Sequence, residues 1–417
     1  MQQMTIFGGN RLQGSLEIET AKNAILPMIA GCLLTSAPVV LCKVPCITDV
    51  QNMFEILKRM GCVVQPDGDK VCIDTSNICQ HEIPRELAQA IRSSIFMLGP
   101  LLARQKKATV VFPGGCDIGA RPIDLHLSGL RDLQVEICEQ HGYIYCNGER
   151  MKAGVVHLDY PSVGATENIM MAAVLLKGRT TIINCAKEPE IVDLAKFINS
   201  MGGKIKGAGT DTITIDGVSK LHGTTYTPMP DRIVCGTYAI ASAMTQGDVT
   251  LTNARPQDIS ALLTKLRYSG CQVKCKRDTI SVQAPKRLRS VLNVETQPYP
   301  GFPTDLQAPF LAMQTISNGI SVITENVFET RFKHVSELVR MGAKITVKNR
   351  TAIVQGVPSL YGAEVMAQDL RGGAALVLAG LTAHGTTTIK NAQYIDRGYE
   401  RMEQKLALLG ANISRQS

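Results

Sequence analysis

At 417 residues the chain is longer than a single core usually supports, so two domains are the default expectation. The net charge is +8, from 44 Lys and Arg against 36 Asp and Glu, yet there is no basic run, no aromatic-interleaved patch and no Trp; nucleic acid is thereby disfavoured as a partner and small anionic ligands explain the charge more simply. Thirteen Cys are spread through apolar segments, as at Cys32, Cys185 and Cys235, and read as reduced thiols used as small hydrophobes. No CxxC occurs, and Cys42/Cys46 and Cys271/Cys275 have no His or Cys partners at zinc-finger spacing, so no metal and no cofactor are expected.

The N-terminus has no basic and apolar leader pattern. Met4 to Phe7 is strand-like and is followed by Gly8, Leu12 and Gly14. Asn23 to Cys42 carries no charge and is long enough to raise the question of a membrane span. Pro27 and Pro38 interrupt it, so a buried helix and a strand are expected there. The next segment is an amphipathic helix, with Met53, Ile56, Leu57 and Met60 on one stripe and Glu55, Lys58 and Arg59 off it.

That helix ends in Leu57-x-x-x-Gly61, and the ending returns at Leu130 to Gln134, Ile198 to Gly202, Leu266 to Gly270, Leu338 to Gly342 and Leu406 to Gly410. The spacings are 73, 68, 68, 72 and 68 residues, which makes six copies of one supersecondary unit. A second helix in each copy is apolar nearly all round, as at Ile95 to Leu102, Ile169 to Leu176 and Ala374 to Leu381, and so belongs inside a domain with sheets outside it. Gly217, Leu221, Gly223 and again Gly356, Leu360, Gly362 mark a strand-turn-strand that completes a β-α-β-α-β-β unit. The sixth copy lacks this piece before Ser417, while Gly8, Leu12 and Gly14 keep its spacing, so the N-terminal strands are expected to pair with the C-terminal ones.

Six units divide into two groups of three. The Pro-rich residues 227–231 mark one crossing and residues 19–21 the other. The expected fold is α/β, a two-domain inside-out α/β barrel with three repeats per domain, one domain spanning 22–229 and the other 1–21 with 230–417.

The starts of the buried helices are polar: Lys22 and Asn23, Arg92 and Ser93, Ser162 to Thr166, Asp231 and Arg232, Thr304 and Asp305, Asp369 and Arg371. Asp, Ser and Thr there serve as ordinary caps. Lys22, Arg92 and Arg371 are different, because a cation at a helix start opposes the dipole; a bound anion would justify them. The second unit carries the longest connection, Pro113-Gly114-Gly115-Cys116-Asp117-Ile118-Gly119-Ala120-Arg121-Pro122. Its glycines suit a moving lid, and Arg121 would ease ionisation of Cys116, making its thiol a usable proton donor or its thiolate a nucleophile. His126 is read either as its partner or as a helix-surface residue. Asp305 alone reads as a helix cap, and Arg397 as a surface cation paired with Asp396.

Pro113 to Leu127, Lys22-Asn23, Phe302-Pro303-Thr304-Asp305, Asp369-Leu370-Arg371 and Ile395-Asp396-Arg397-Gly398-Tyr399-Glu400 together resemble the bacterial UDP-N-acetylglucosamine 1-carboxyvinyltransferases, from Leu12-Gln13-Gly14 to Leu409-Gly410-Ala411. The resemblance implies transfer of the enolpyruvyl group of phosphoenolpyruvate to the 3-hydroxyl of UDP-N-acetylglucosamine with release of phosphate, in peptidoglycan synthesis. It implies that Cys116 protonates the methylene carbon of phosphoenolpyruvate or adds to it, that Asp305 accepts the hydroxyl proton, and that Lys22, Arg121 and Arg397 neutralise phosphate and carboxylate. Arg92, the run Arg121, Pro122, Ile123, Asp124, Leu125, then Ser162, Val163, Gly164 and Val327 match the nucleotide-sugar contacts, and Asn23, Asp369 and Arg371 join the substrate-binding set. It further implies that fosfomycin alkylates Cys116, and that the protein is a cytoplasmic monomer without membrane insertion.

The chain departs from the family at Glu19-Thr20, where a small residue is usual, at Val234, where an acidic one is common, and at Gln134 in place of the repeat glycine. Gly372-Gly373 are expected to loosen a helix start. A shikimate enolpyruvyl transferase or an RNA 3'-phosphate cyclase would keep the repeats without the Cys116 loop. A non-catalytic UDP-sugar sensor would not require Cys116, Asp305, Lys22 and Arg397 together.

Overall fold

The computed structural model describes residues 2–112 and 123–416. Its contacts separate these into two compact units, residues 20–112 with 123–229, and residues 2–19 with 230–416. The chain passes between them at two neighbouring strand-like points. On one side Ala21 donates its N–H to Met229 O at 2.8 Å, and on the other Asp231 donates to Glu19 O at 2.8 Å. The division falls before Thr20, two residues earlier than the sequence reading placed it.

Six sheets are present among the described residues, five of four strands and one of three. They share a plan. In the sheet of Val155–His157, Arg179–Ile183, Thr212–Asp216 and Ile205–Lys206, the first pair is parallel and the other two are antiparallel. The same order recurs with Asn293–Glu295, Ile320–Thr324, Thr351–Gln355 and Lys344–Lys348. The three-stranded sheet has a single parallel bridge, Glu82 to Thr109, where the others have their parallel strand. Gln3–Phe7 lies between Thr386–Lys390 and Asn412–Gln416, antiparallel to both, so the first strand of the chain finishes the last sheet.

Alternation along several of these strands buries one face only. Ile213 and Ile215 are inside while Thr212, Thr214 and Asp216 are partly in water, the pattern of a sheet wet on one side. The helices beneath have no polar stripe. Every residue of Ile233–Met244 and of Leu370–Leu381 is buried, each large apolar side chain contributing about 1.5–3 kcal/mol. The other helix of the repeat lies with one face outward: in Thr48–Arg59, Val50, Met53, Phe54, Ile56 and Leu57 are buried and Lys58 and Arg59 exposed. Among the described residues no helix is long and apolar enough to cross a membrane.

The repeat ending has a backbone cause. Gly61, Gly202, Gly270, Gly342 and Gly410 have φ between 93° and 99°, and Gln134, their counterpart in the second unit, holds φ 65°. The turn is therefore the same in all six copies, and Gln134 bears the left-handed strain that glycine avoids. Gln134→Gly is expected to raise stability by roughly 0.5–1 kcal/mol in urea melts; a loss of stability would show that the Gln134 side chain contributes more than the strain costs. The glycines of the strand-turn-strand have a different reason. A Cβ on Gly217 would overlap the carbonyl oxygen of Leu176, and one on Gly356 that of Ser317.

Candidate active site

Lys22 opens the Lys22–Gly31 helix, whose first turn carries no acidic residue. Its counter-ion is Asp49, in the first turn of Thr48–Arg59, with Nζ 2.7 Å from Oδ2 and the two side chains only 11% and 3% exposed. The cation at a helix start thus meets a carboxylate of the protein itself, where the sequence reading supplied a bound anion.

In the same unit Arg92 begins a 3-10 turn, Arg92–Met97, that leads into the buried helix Leu98–Gln105. Burial draws its guanidinium down to about 10. Ser162 caps the Val163–Ala173 helix, its Oγ accepting from Ala165 N at 3.3 Å. Ile123 sits at the cap of the Asp124–Asp132 helix and is buried, whereas Asp124 is exposed and Leu125 half-buried. His126 is buried, 6% exposed, and so is not the helix-surface residue that its sequence position also allowed. Cys116, Arg121 and Pro122, with the rest of residues 113–122, lie outside the described residues.

In the compact unit of residues 2–19 and 230–416, Asp305 sits in the 3-10 turn Thr304–Leu306, ahead of the buried helix Gln307–Thr315. Arg331 Nη2 donates to its Oδ1 at 2.6 Å and Arg371 Nη2 to its Oδ2 at 2.9 Å. Both arginine side chains are nearly sealed, at 3% and 2% exposure, while the carboxylate keeps 23%. Burial by itself would raise the Asp305 carboxyl; the charges and hydrogen bonds of Arg371 and Arg331 outweigh it and hold the group well below the ordinary carboxylate range. A structural cap would not need two guanidiniums.

Glu325 braces this arrangement from behind. Its carboxylate accepts from the hydroxyls of Thr296 and Thr304 at 2.8 and 2.9 Å and from the N–H groups of Val327 and Phe328 at 2.9 and 3.1 Å. Thr304 in turn accepts from Arg331 Nη1 at 2.8 Å. Val327 and Asp305 are therefore tied through one buried side chain.

Asp369 caps the Leu370–Thr382 helix, Oδ1 accepting from Arg371 N at 2.8 Å and Gly372 N at 2.9 Å. The helix start is well formed despite its glycines, and close packing explains them: a Cβ on Gly373 would come within 2.8 Å of Ile395 Cγ1. Arg397 ends the 3-10 turn Ala392–Arg397 and is half-buried. Asp396 is not its ion-pair partner, because Arg415 Nη2 donates to both Asp396 oxygens, at 2.8 and 2.7 Å. Asn23 is the second residue of its helix and is half-buried.

Three residues of these clusters escape a reading of the sequence. Asp49 looks like a routine first-turn acid. Glu325 and Arg331 fall in a polar connection where spacing does not distinguish the buried Arg331 from the exposed Arg340.

The profile of the family described as EPSP synthase (3-phosphoshikimate 1-carboxyvinyltransferase) matches residues 6–406. UDP-N-acetylglucosamine 1-carboxyvinyltransferase 2 of Caldanaerobacter subterraneus subsp. tengcongensis is 51% identical over 415 residues, covering 100% of both chains. The protein of that name from Carboxydothermus hydrogenoformans is 50% identical over 419 residues, again covering 100% of each. Among solved structures, the enolpyruvyl transferase NikO from Streptomyces tendae superposes with a TM-score of 0.89 at 24% identity, covering 100% of this chain and 99% of that one. EPSP synthase from Acinetobacter baumannii does so with 0.75 at 17%, covering 100% of both. These two establish a shared mixed α/β fold of many sheets. With full-length relatives at half identity, this chain belongs to the EPSP synthase family of enolpyruvyl transferases and, within it, to the UDP-N-acetylglucosamine 1-carboxyvinyltransferases.

Proposed function

We propose that the protein transfers the enolpyruvyl group of phosphoenolpyruvate to the 3-hydroxyl of UDP-N-acetylglucosamine, releasing phosphate, as the first committed step of peptidoglycan synthesis. The full-length likeness to relatives of that name carries the reading, and the double guanidinium clamp on Asp305 supports it. The same proposal takes each unit as a three-repeat inside-out barrel, in a cytoplasmic monomer that uses no cofactor. Fully buried helices beneath sheets wet on one face support the barrel.

In the proposed chemistry the sugar 3-hydroxyl oxygen bonds to C2 of phosphoenolpyruvate while a proton from Cys116 reaches C3, which becomes a methyl group. Asp305 takes the hydroxyl proton. A carboxylate held so low is fully ionised at neutral pH but weakly basic, so it receives the proton as the new C–O bond draws electrons from the hydroxyl oxygen, not beforehand. Transfer of a proton from C3 back to the Cys116 thiolate and cleavage of the C2–O bond to phosphate, which leaves with the bonding electrons, then restore the double bond. Lys22, Arg121 and Arg397 offset the charge of the phosphate and carboxylate. Asn23, Arg92, Ile123, Asp124, Leu125, Ser162, Val163, Gly164, Val327, Asp369 and Arg371, with Pro122, line the sugar-nucleotide and phosphoenolpyruvate sites in this assignment.

Incubation with both substrates is expected to give phosphate and a UDP-sugar heavier by one enolpyruvyl unit, with no product from the 3-deoxy sugar analogue. Enolpyruvyl transfer to shikimate 3-phosphate, with none to UDP-N-acetylglucosamine, would overturn the assignment.

A further inference from the structure

Three of the segments assigned to the nucleotide sugar meet at one side chain that the assignment leaves out. His126 follows Leu125 in the first turn of the Asp124–Asp132 helix. Its Nδ1 lies 2.8 Å from Nδ2 of Asn168, a fully buried residue of the Val163–Ala173 helix. Asn168 is itself oriented without ambiguity. Its Oδ1 accepts from Gly99 N at 3.0 Å, so the other atom is the amide nitrogen, which also donates to Ile95 O at 2.9 Å, three residues from Arg92.

With one amide hydrogen on Ile95 O and the other on His126, Nδ1 can only accept, and the ring proton must be on Nε2. The Nε2 edge faces the start of the helix: a Cβ on Gly164 would come within 3.0 Å of Nε2 and 2.9 Å of Cε1. The sole hydrogen bond of the ring among the described residues is the one at Nδ1. A 94% buried imidazole thus turns an uncommitted N–H toward a helix N-terminus, where amide groups and the dipole already favour an anion.

We propose that His126, held by Asn168 as the neutral Nε2–H tautomer, is a further substrate-binding residue that donates a hydrogen bond to a phosphate oxygen of the nucleotide sugar at the start of the Val163–Ala173 helix. The proposal rests on the functional reading above and adds a residue to it. A neutral donor suits the place, since a second buried cation beside Arg92 would be costly. Burial first, and then the Arg92 charge, push the imidazole down to about 3, so the ring stays uncharged at working pH.

The test is calorimetric binding of UDP-N-acetylglucosamine, UDP and uridine to the full chain. His126→Leu is expected to weaken UDP and UDP-N-acetylglucosamine roughly 10- to 100-fold while leaving uridine unchanged. His126→Gln, which can still donate, recovers most of the loss. In the wild-type protein, nitrogen-15 NMR of the imidazole should show the Nε2–H tautomer from about pH 6 to about pH 8, its proton shifting on addition of UDP. This measurement decides the matter even if the leucine variant does not fold. Equal weakening of uridine and UDP, an Nδ1–H tautomer, or an unaltered variant beside a wild type that binds would overturn this inference alone. Wild type that fails to bind UDP-N-acetylglucosamine overturns the functional reading, and this inference with it.

Discussion

Asp305→Asn is expected to lower kcat for phosphate release by roughly 10²- to 10⁴-fold, the usual worth of a positioned general base, with much smaller changes in either KM. The same substitution should destabilise the fold. It leaves the guanidiniums of Arg331 and Arg371, 3% and 2% exposed, without their shared carboxylate. Removing one partner of a buried ion pair costs on the order of 3–5 kcal/mol, and the 23% exposure of Asp305 puts this case near the lower end.

The pH dependence has a definite sign. The folded-state pKa of Asp305 lies well below its ordinary value of 3.8, so its contribution to stability is complete above that value and is lost as pH falls through the lower, folded one. Wild type and Asp305→Asn should therefore differ by a constant amount at neutral pH and converge in acid. Urea melts showing an undiminished gap at about pH 2 would contradict the clamp.

Lys22→Met should produce two separable losses. Catalysis falls because a cation that offsets substrate charge is gone, and kcat/KM for phosphoenolpyruvate should drop roughly 10²- to 10³-fold. Stability falls because Asp49, 3% exposed, loses the ammonium group 2.7 Å from its Oδ2, at a cost of about 2–4 kcal/mol. Adding Asp49→Leu to Lys22→Met should restore much of the stability and none of the activity. Recovery of activity in the double variant would show that Lys22 matters for the fold alone.

Much of the architecture is written in local patterns. The stripe of Met53, Ile56 and Leu57 and the uniformly apolar Ala374 to Leu381 each announce how deeply their helix is buried, because helical periodicity is a property of neighbouring residues. The repeat is legible even where it is broken. Gln134 adopts the left-handed backbone of the glycines it replaces, since the turn and not the residue is what the packing demands.

The candidate site was legible only by halves. Lys22 and Arg371 stand out in the sequence as cations where a helix start disfavours them. What they pair with does not, because Asp305 is 66 positions from Arg371 and joins it only through tertiary packing. Neighbours in sequence also mislead: Asp396 adjoins Arg397 yet gives both oxygens to Arg415, a residue of the final strand. His126 shows the same limit, for its burial and its tautomer depend on Asn168, 42 positions away.

The most direct test of the account follows phosphate released from phosphoenolpyruvate by the wild-type protein and by Cys116→Ala, with and without UDP-N-acetylglucosamine. Release that requires the sugar nucleotide and is abolished or nearly so in the variant is the predicted result. Release at the same rate without UDP-N-acetylglucosamine, or undiminished in Cys116→Ala, would contradict addition of the sugar hydroxyl to an enolpyruvyl group protonated or held by that thiol.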